Sequence, residues 1–128
     1  MLSDRDRRIL EAPNFASVAT VMPDGSPHVS TIWIDLDGHD VVFNTSEGRV
    51  KTDNVRRNPL VSISVFDQGD PYEQVVIHGT VVDVTHDGAD EHIDRLAKKY
   101  LALDAYPWRE PGEQRVIVRV RPDRVSAG

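Results

Sequence analysis

Hydrophobic residues recur along this chain mostly with a period of two, the spacing that sends alternate side chains to opposite faces of a β-strand. Phe15 to Val21 is apolar and β-branched and stops at Pro23-Asp24-Gly25, where proline presets a turn and glycine supplies a positive φ. His28 to Asp35 alternates Val29, Thr31 and Trp33 with Ser30, Ile32 and Ile34. Asp37-Gly38 then turns the chain into Val41 to Thr45, so three strands joined by short turns predict an antiparallel meander. Leu60 to Phe66 alternates cleanly. Tyr72 to Val84 is apolar on both sides, which calls for cover on both faces, and a second copy of the chain is one source of it. Gly79 in that run predicts a bend or bulge of the kind that curls a sheet. Gln114 to Val120 is the last strand, with Val116, Val118 and Val120 on one face and Arg115, Ile117, Arg119 and Arg121 on the other.

The period changes in three places. Ser3 and Asp6 can form a capping box for a short helix with Leu2, Ile9 and Leu10 on its apolar side, a lid for the core. Ser46 to Asn58 holds a helix that Pro59 ends. Asp87 to Leu101 carries Ile93, Leu96, Ala97, Tyr100 and Leu101 as one stripe, with acids in its first turns and Lys98 and Lys99 near its end, as the helix dipole favours. Asp67 to Pro71 and Asp104 to Gly112 are loops. The expectation is one domain, 1–128, mainly β, with six strands and three helices.

Composition narrows the class. With 128 residues the chain suits a single core. It has no cysteine, which removes disulfides, thiolate metal sites and thiol catalysis. Its 15 basic against 21 acidic residues give −6, so no nucleic-acid partner is expected. No apolar run approaches the ~18 residues that span a bilayer, and the first ten residues are charged where a signal peptide is apolar, so the expected location is the cytoplasm.

The dinucleotide fingerprint, P-loop, nucleophile elbow and HExxH motifs are all absent. The five histidines are scattered, and no metal site is expected. One cluster stands out in this acidic chain: Arg49, Lys51, Arg56 and Arg57, with only Asp53 among them. At a helix start after a strand, Arg49 as a fork and Lys51 as a point charge would hold a phosphate, with hydroxyls from Thr45, Ser46 and Thr52 nearby. A solvated, salt-bridged helix face is the other reading, and it is the one assigned to Arg56 and Arg57. The His28 to Trp33 strand offers an apolar wall with hydroxyl partners, suited to a planar heteroaromatic ring, although a strand tryptophan is also an ordinary core residue. Wall and anion site together suggest a flavin-type, phosphate-tailed cofactor.

The series Ala19-Thr20-Val21-x-Pro23-Asp24-Gly25-x-Pro27-x-Val29-Ser30, Trp33, Asp37-Gly38, Phe43-x-Thr45, Arg49-x-Lys51-x-x-Asn54-Val55-x-Arg57-x-Pro59-x-Val61-Ser62 and Pro71-Tyr72 to His78-Gly79 spans nearly the whole chain. It resembles the pyridoxamine-phosphate-oxidase-like split β-barrel flavoproteins, and among them the F420-dependent reductase branch. The resemblance implies a six-stranded antiparallel split barrel, FMN-binding-like and homodimeric, with the cofactor in a groove between subunits. It implies cofactor contacts from Ser30, Thr31, Trp33, Asn44, Thr45, Arg49, Lys51, Thr52 and Asn54. It also implies hydride transfer from reduced deazaflavin to an electrophilic conjugated small molecule, with no catalytic residue assigned. FMN in place of F420, and a non-catalytic cofactor carrier, are the alternatives. Asp53 and His78 stand where relatives commonly carry basic residues, which weakens the expected grip on a polyanionic tail.

Overall fold

A computed structural model describes residues 1–128. Its elements in chain order are α1 (Asp4–Glu11), β1 (Ala16–Val21), β2 (Pro27–Ile32), β3 (Ile34–Asp37), β4 (Asp40–Ser46), α2 (Val50–Arg57), β5 (Leu60–Asp67), β6 (Asp70–Thr85), α3 (Ala89–Leu101) and β7 (Arg115–Ser126). All strands join one antiparallel sheet in the order β2-β1-β5-β6-β7-β4-β3. The two strands that end this order, β2 and β3, are separated in the chain by Trp33 alone. The sheet therefore curls until its edges meet at that residue, as in a split barrel.

The sheet has seven strands where the hydrophobic pattern predicts six. The predicted strand His28 to Asp35 is divided at Trp33, because its first half pairs with β1 and its second half with β4. The end of α3 braces this corner. The Ile34 N–H donates to the Tyr100 hydroxyl (3.1 Å), and the Ile34 carbonyl accepts from Lys99 Nζ (2.7 Å). Tyr100 in turn donates to the Asn14 carbonyl (2.7 Å), and its ring stacks on Trp33 with centroids 5.2 Å apart and planes within 6°. Burial of the hydroxyl pushes the Tyr100 pKa up to about 12, so it stays protonated and able to donate.

Inside the curl lies a hydrophobic core that includes Val18, Ile34, Val41, Phe43, Ile63, Val65, Ile77, Val118 and Val120. Ile9 and Leu10 of α1 enter it, as expected of a lid, and so does Val55 of α2. The Ser3–Asp6 capping box forms with both bonds at 3.0 Å. Helix α3 packs on the other side of β4 and β7, which explains why both faces of β4 are buried. It starts at Ala89 instead of the predicted Asp87, since Gly88 sits at φ 74°, outside the helical region.

Strand β7 runs on to Ser126, six residues past the predicted Val120. Pro122 falls within this extension. In the fold it lies opposite Gly79, where the β6–β7 register shifts, the kind of irregularity at which a strand admits proline. The bulge predicted at Gly79 is thus real. A Cβ at that position would fall 2.5 Å from Val120 Cγ1 and 2.8 Å from the Arg121 carbonyl. Along β6, Val75 and Ile77 are fully buried, whereas Val82 and Tyr72 on the outside are exposed. No helix is long and apolar enough to cross a membrane.

Candidate cofactor groove

The strand break at Trp33, the turn before α2, the inner face of α3 and the loop after it converge on one groove of about 200 Å³. Thr31, Ile32 and Trp33 come from the end of β2 and the corner, Asn44 and Thr45 from β4, Arg49 and Lys51 from the start of α2. Phe15, Ile93, Leu96, Tyr106, Trp108 and Arg115 complete the lining. An adjoining cavity of about 360 Å³ shares Arg49, Tyr106 and Trp108 with it and adds Ser46, Glu110 and Glu113. Together they reach the size of ordinary small-molecule sites, ~300–1,000 Å³.

One end of the groove is aromatic. Tyr106 meets Trp33 edge-on with centroids 6.1 Å apart, and Trp108 lies 6.3 Å from Trp33 and 5.7 Å from Tyr106. The loop that carries these rings is pinned to α3 by Asp94, which accepts from the Tyr106 N–H (2.9 Å) and from Arg109. Those bonds, the backbone one foremost, hold the Asp94 carboxyl below the usual carboxylate range.

The other end is cationic. Neither Arg49 nor Lys51 has an acidic partner in the chain. Burial lowers the Lys51 pKa, and the like charges of Arg49 and Arg115 add to the effect. A half-buried ammonium held against two guanidiniums is a site that an anion relieves. Arg115 is nearly buried; its Nη1 pairs with Glu113 (2.7 Å), and its guanidinium lies 5.2 Å from the centre of the Tyr106 ring.

The expected site residues separate by position. Thr31, Trp33, Asn44, Thr45, Arg49 and Lys51 line the groove; Ser30, Thr52 and Asn54 do not. Ser30 lies off the groove, and its hydroxyl is buried without a partner. Thr52 donates to the Ser46 carbonyl (2.8 Å) and contacts the Thr45 hydroxyl (3.2 Å), so it ties α2 to the end of β4. Asn54 is buried behind the helix, bonded to the Thr20 hydroxyl (3.0 Å) and accepting from Arg57. Arg56 pairs with Glu47, as the salt-bridged reading has it, whereas Arg57 has no acidic partner and donates instead to the Val21 carbonyl and to Asn54. His78 bonds Ser62 in a larger cleft of about 410 Å³ that shares no residue with the groove.

The sequence reading left Tyr106 and Trp108 unassigned to either subunit's groove and missed Arg115 and Phe15. Two large aromatics in a loop with two prolines are the one signal that was available, since such rings are costly to leave in water. Arg115 gave none, because its strand face reads as solvent-exposed.

The model of the family described as pyridoxamine 5'-phosphate oxidase matches residues 2–127. A pyridoxine/pyridoxamine 5'-phosphate oxidase of Rubrobacter xylanophilus is 31% identical over 108 residues, 83% of this chain and 49% of that protein. One of Nostoc punctiforme is 33% identical over 86 residues, 66% of this chain and 40% of that protein. The chain thus spans about half the length, or less, of these relatives. Among solved structures, an F420 reductase superposes with a TM-score of 0.84 at 33% identity, covering 95% of this chain and 96% of the other. General Stress Protein 26 of Bacillus anthracis shares the fold at a TM-score of 0.69 and 17% identity, over 95% and 89% of the two chains. Matched from one end to the other, and built on the split sheet described above, the chain belongs to the pyridoxamine 5'-phosphate oxidase family.

Proposed function

We propose that the groove holds a phosphate-tailed cofactor of the flavin type, in first place the deazaflavin F420, and that the protein is an F420-dependent oxidoreductase acting on an electrophilic, conjugated small molecule. The observation that carries this is the joining, in one groove, of an aromatic wall with two cations, Arg49 and Lys51, that the chain itself does not neutralise. The likeness to an F420 reductase over almost the full length of both chains supports the same reading.

When bound, the reduced cofactor supplies the hydride, so the redox chemistry is its own. The chain's residues bind and orient. Arg49 offers a planar fork and Lys51 a point charge to the anionic tail. The hydroxyls of Thr31 and Thr45 face the polar edge of a ring, and Trp33 with Tyr106 packs its plane and keeps water away. Thr52 and Asn54 act from behind by fixing α2 against β4 and β1. A homodimer belongs to this reading, and Val29, Leu60, Phe66 and Tyr72, which lie outside the groove, are exposed apolar side chains for it to cover.

A specific feature favours FMN as the second reading. Glu110 and Glu113 line the cavity beyond Arg49, where a tail bearing several carboxylates would meet like charge and a single phosphate would not. Side-by-side titration with F420 and FMN decides between them: saturable F420 binding is expected, and copurified FMN with no affinity for F420 overturns the leading version. Single-turnover oxidation of bound reduced cofactor by enones and quinones then separates an enzyme from a carrier, which would bind without turning over.

A further inference from the structure

Asn44 sits on the groove wall with its amide committed in one orientation. Its Nδ2 donates to the Ala89 carbonyl (2.9 Å) and lies 3.1 Å from His92 Nδ1, while its Oδ1 accepts from Arg115 Nε (2.8 Å). An amide nitrogen has only protons to offer, so His92 Nδ1 must be the acceptor and the ring proton must reside on Nε2. That Nε2 is buried and has no partner. Beyond Asn44, Arg115 spends Nε on the amide and Nη1 on Glu113, and its Nη2 has no partner in the chain. Since Arg115 lines the groove, the free end of the guanidinium is available to a ligand there.

We propose that His92, which does not line the groove, is a positioning residue for it: its unprotonated Nδ1 fixes the Asn44 amide, which aims Arg115 at an oxygen of the bound cofactor. This rests on the reading of the groove as a cofactor site. The three residues form a chain with a single polarity. A proton on Nδ1 would set donor against donor; turning the Asn44 amide over to meet it would set Nδ2 against Arg115 Nε and forfeit the bond to Ala89. The charged groups around His92 are Asp35 and Asp37 from β3, Arg95 on its own helix and Arg119 from β7. The acids favour a protonated ring, the arginines oppose it, and burial, the largest influence, keeps it neutral.

His92→Leu and His92→Gln, each checked for its melting temperature, are titrated against F420 and FMN beside the wild type. Leucine removes the acceptor and glutamine restores one, so the expected result is about a tenfold loss of affinity in the first and a loss within about threefold in the second. A leucine variant that binds like the wild type overturns the proposal. Because that variant can fail to fold, nitrogen-15 spectra of the wild type supply an independent reading: a proton on Nε2 is expected, and a proton on Nδ1 overturns the proposal. Wild-type protein that binds neither cofactor removes the groove reading and this inference with it. Wild-type binding left unchanged by His92→Leu removes this inference alone.

Discussion

Lys51 shows how much one position carries. Its ammonium is half-buried beside Arg49 and Arg115, with its pKa lowered, so a bound anion gains both the attraction and the relief of that crowding. Lys51→Ala and Arg49→Ala are each expected to weaken cofactor binding by about 1.5–3 kcal/mol, the size of a hydrogen bond to a charged group. Calorimetric titrations of both variants check this, and curves that superpose on the wild type contradict it. His92 makes a different prediction. Burial pushes its pKa down to about 4, from 6.5 in the unfolded chain. As pH falls below 6.5 the unfolded chain takes up a proton that the folded one refuses, so stability is lost progressively until about pH 4, by about 3 kcal/mol in all. Urea unfolding between pH 7 and 4 measures the loss, and His92→Gln should reduce it. Arg49 and Lys51 were legible because two cations next to a strand end stand out in an acidic chain. Asn44 was named for its place in a motif, but its bonds to Ala89, His92 and Arg115 join residues far apart in sequence.

Elements were easiest to read where a local rule sufficed. The capping box at Ser3 and the valine alternation of β7 need only neighbours in sequence, and both are present as expected. The strand break at Trp33 does not follow from its own residues, which alternate without interruption; it follows from β1 and β4, the strands its two halves pair with, lying next to opposite ends of the sheet order. Tyr100→Phe tests what holds that corner. The change leaves the stack on Trp33 but strands the Ile34 N–H and the Asn14 carbonyl, and an expected loss of about 1–3 kcal/mol is read by chemical denaturation. Gly79→Ala tests the curl. Its Cβ would collide with Val120 and the Arg121 carbonyl, so the expected cost is about 1–3 kcal/mol, with a drop in melting temperature. An alanine variant as stable as the wild type would show that the β6–β7 bulge yields more easily than its close approach implies.

At the scale of the molecule, the apolar side chains left outside the curl matter most. Tyr72 is 92% exposed and Val29 65%, and both lie on the sheet instead of in flexible loops. The proposed homodimer would give such side chains cover, so sedimentation is expected to give the mass of two chains, and a monomer at micromolar concentration would argue against a shared groove. Charge acts at the same scale. The molecule carries −6, yet Arg49, Lys51 and Arg115 gather at one place, so added salt is expected to weaken cofactor binding more than it weakens the fold.

The sequence by itself determined a mainly β fold and placed two neighbouring cations, Arg49 and Lys51, after its Val41 to Thr45 strand. Those features depend on alternation, turn residues and charges close together in the chain. Tertiary structure alone decided that the sheet closes on Trp33, that Tyr106 and Trp108 fold back over the groove, and that His92 meets Asn44. Each of these is a meeting of segments tens of residues apart, set by how the curled sheet and α3 pack, and no local pattern encodes where such segments touch.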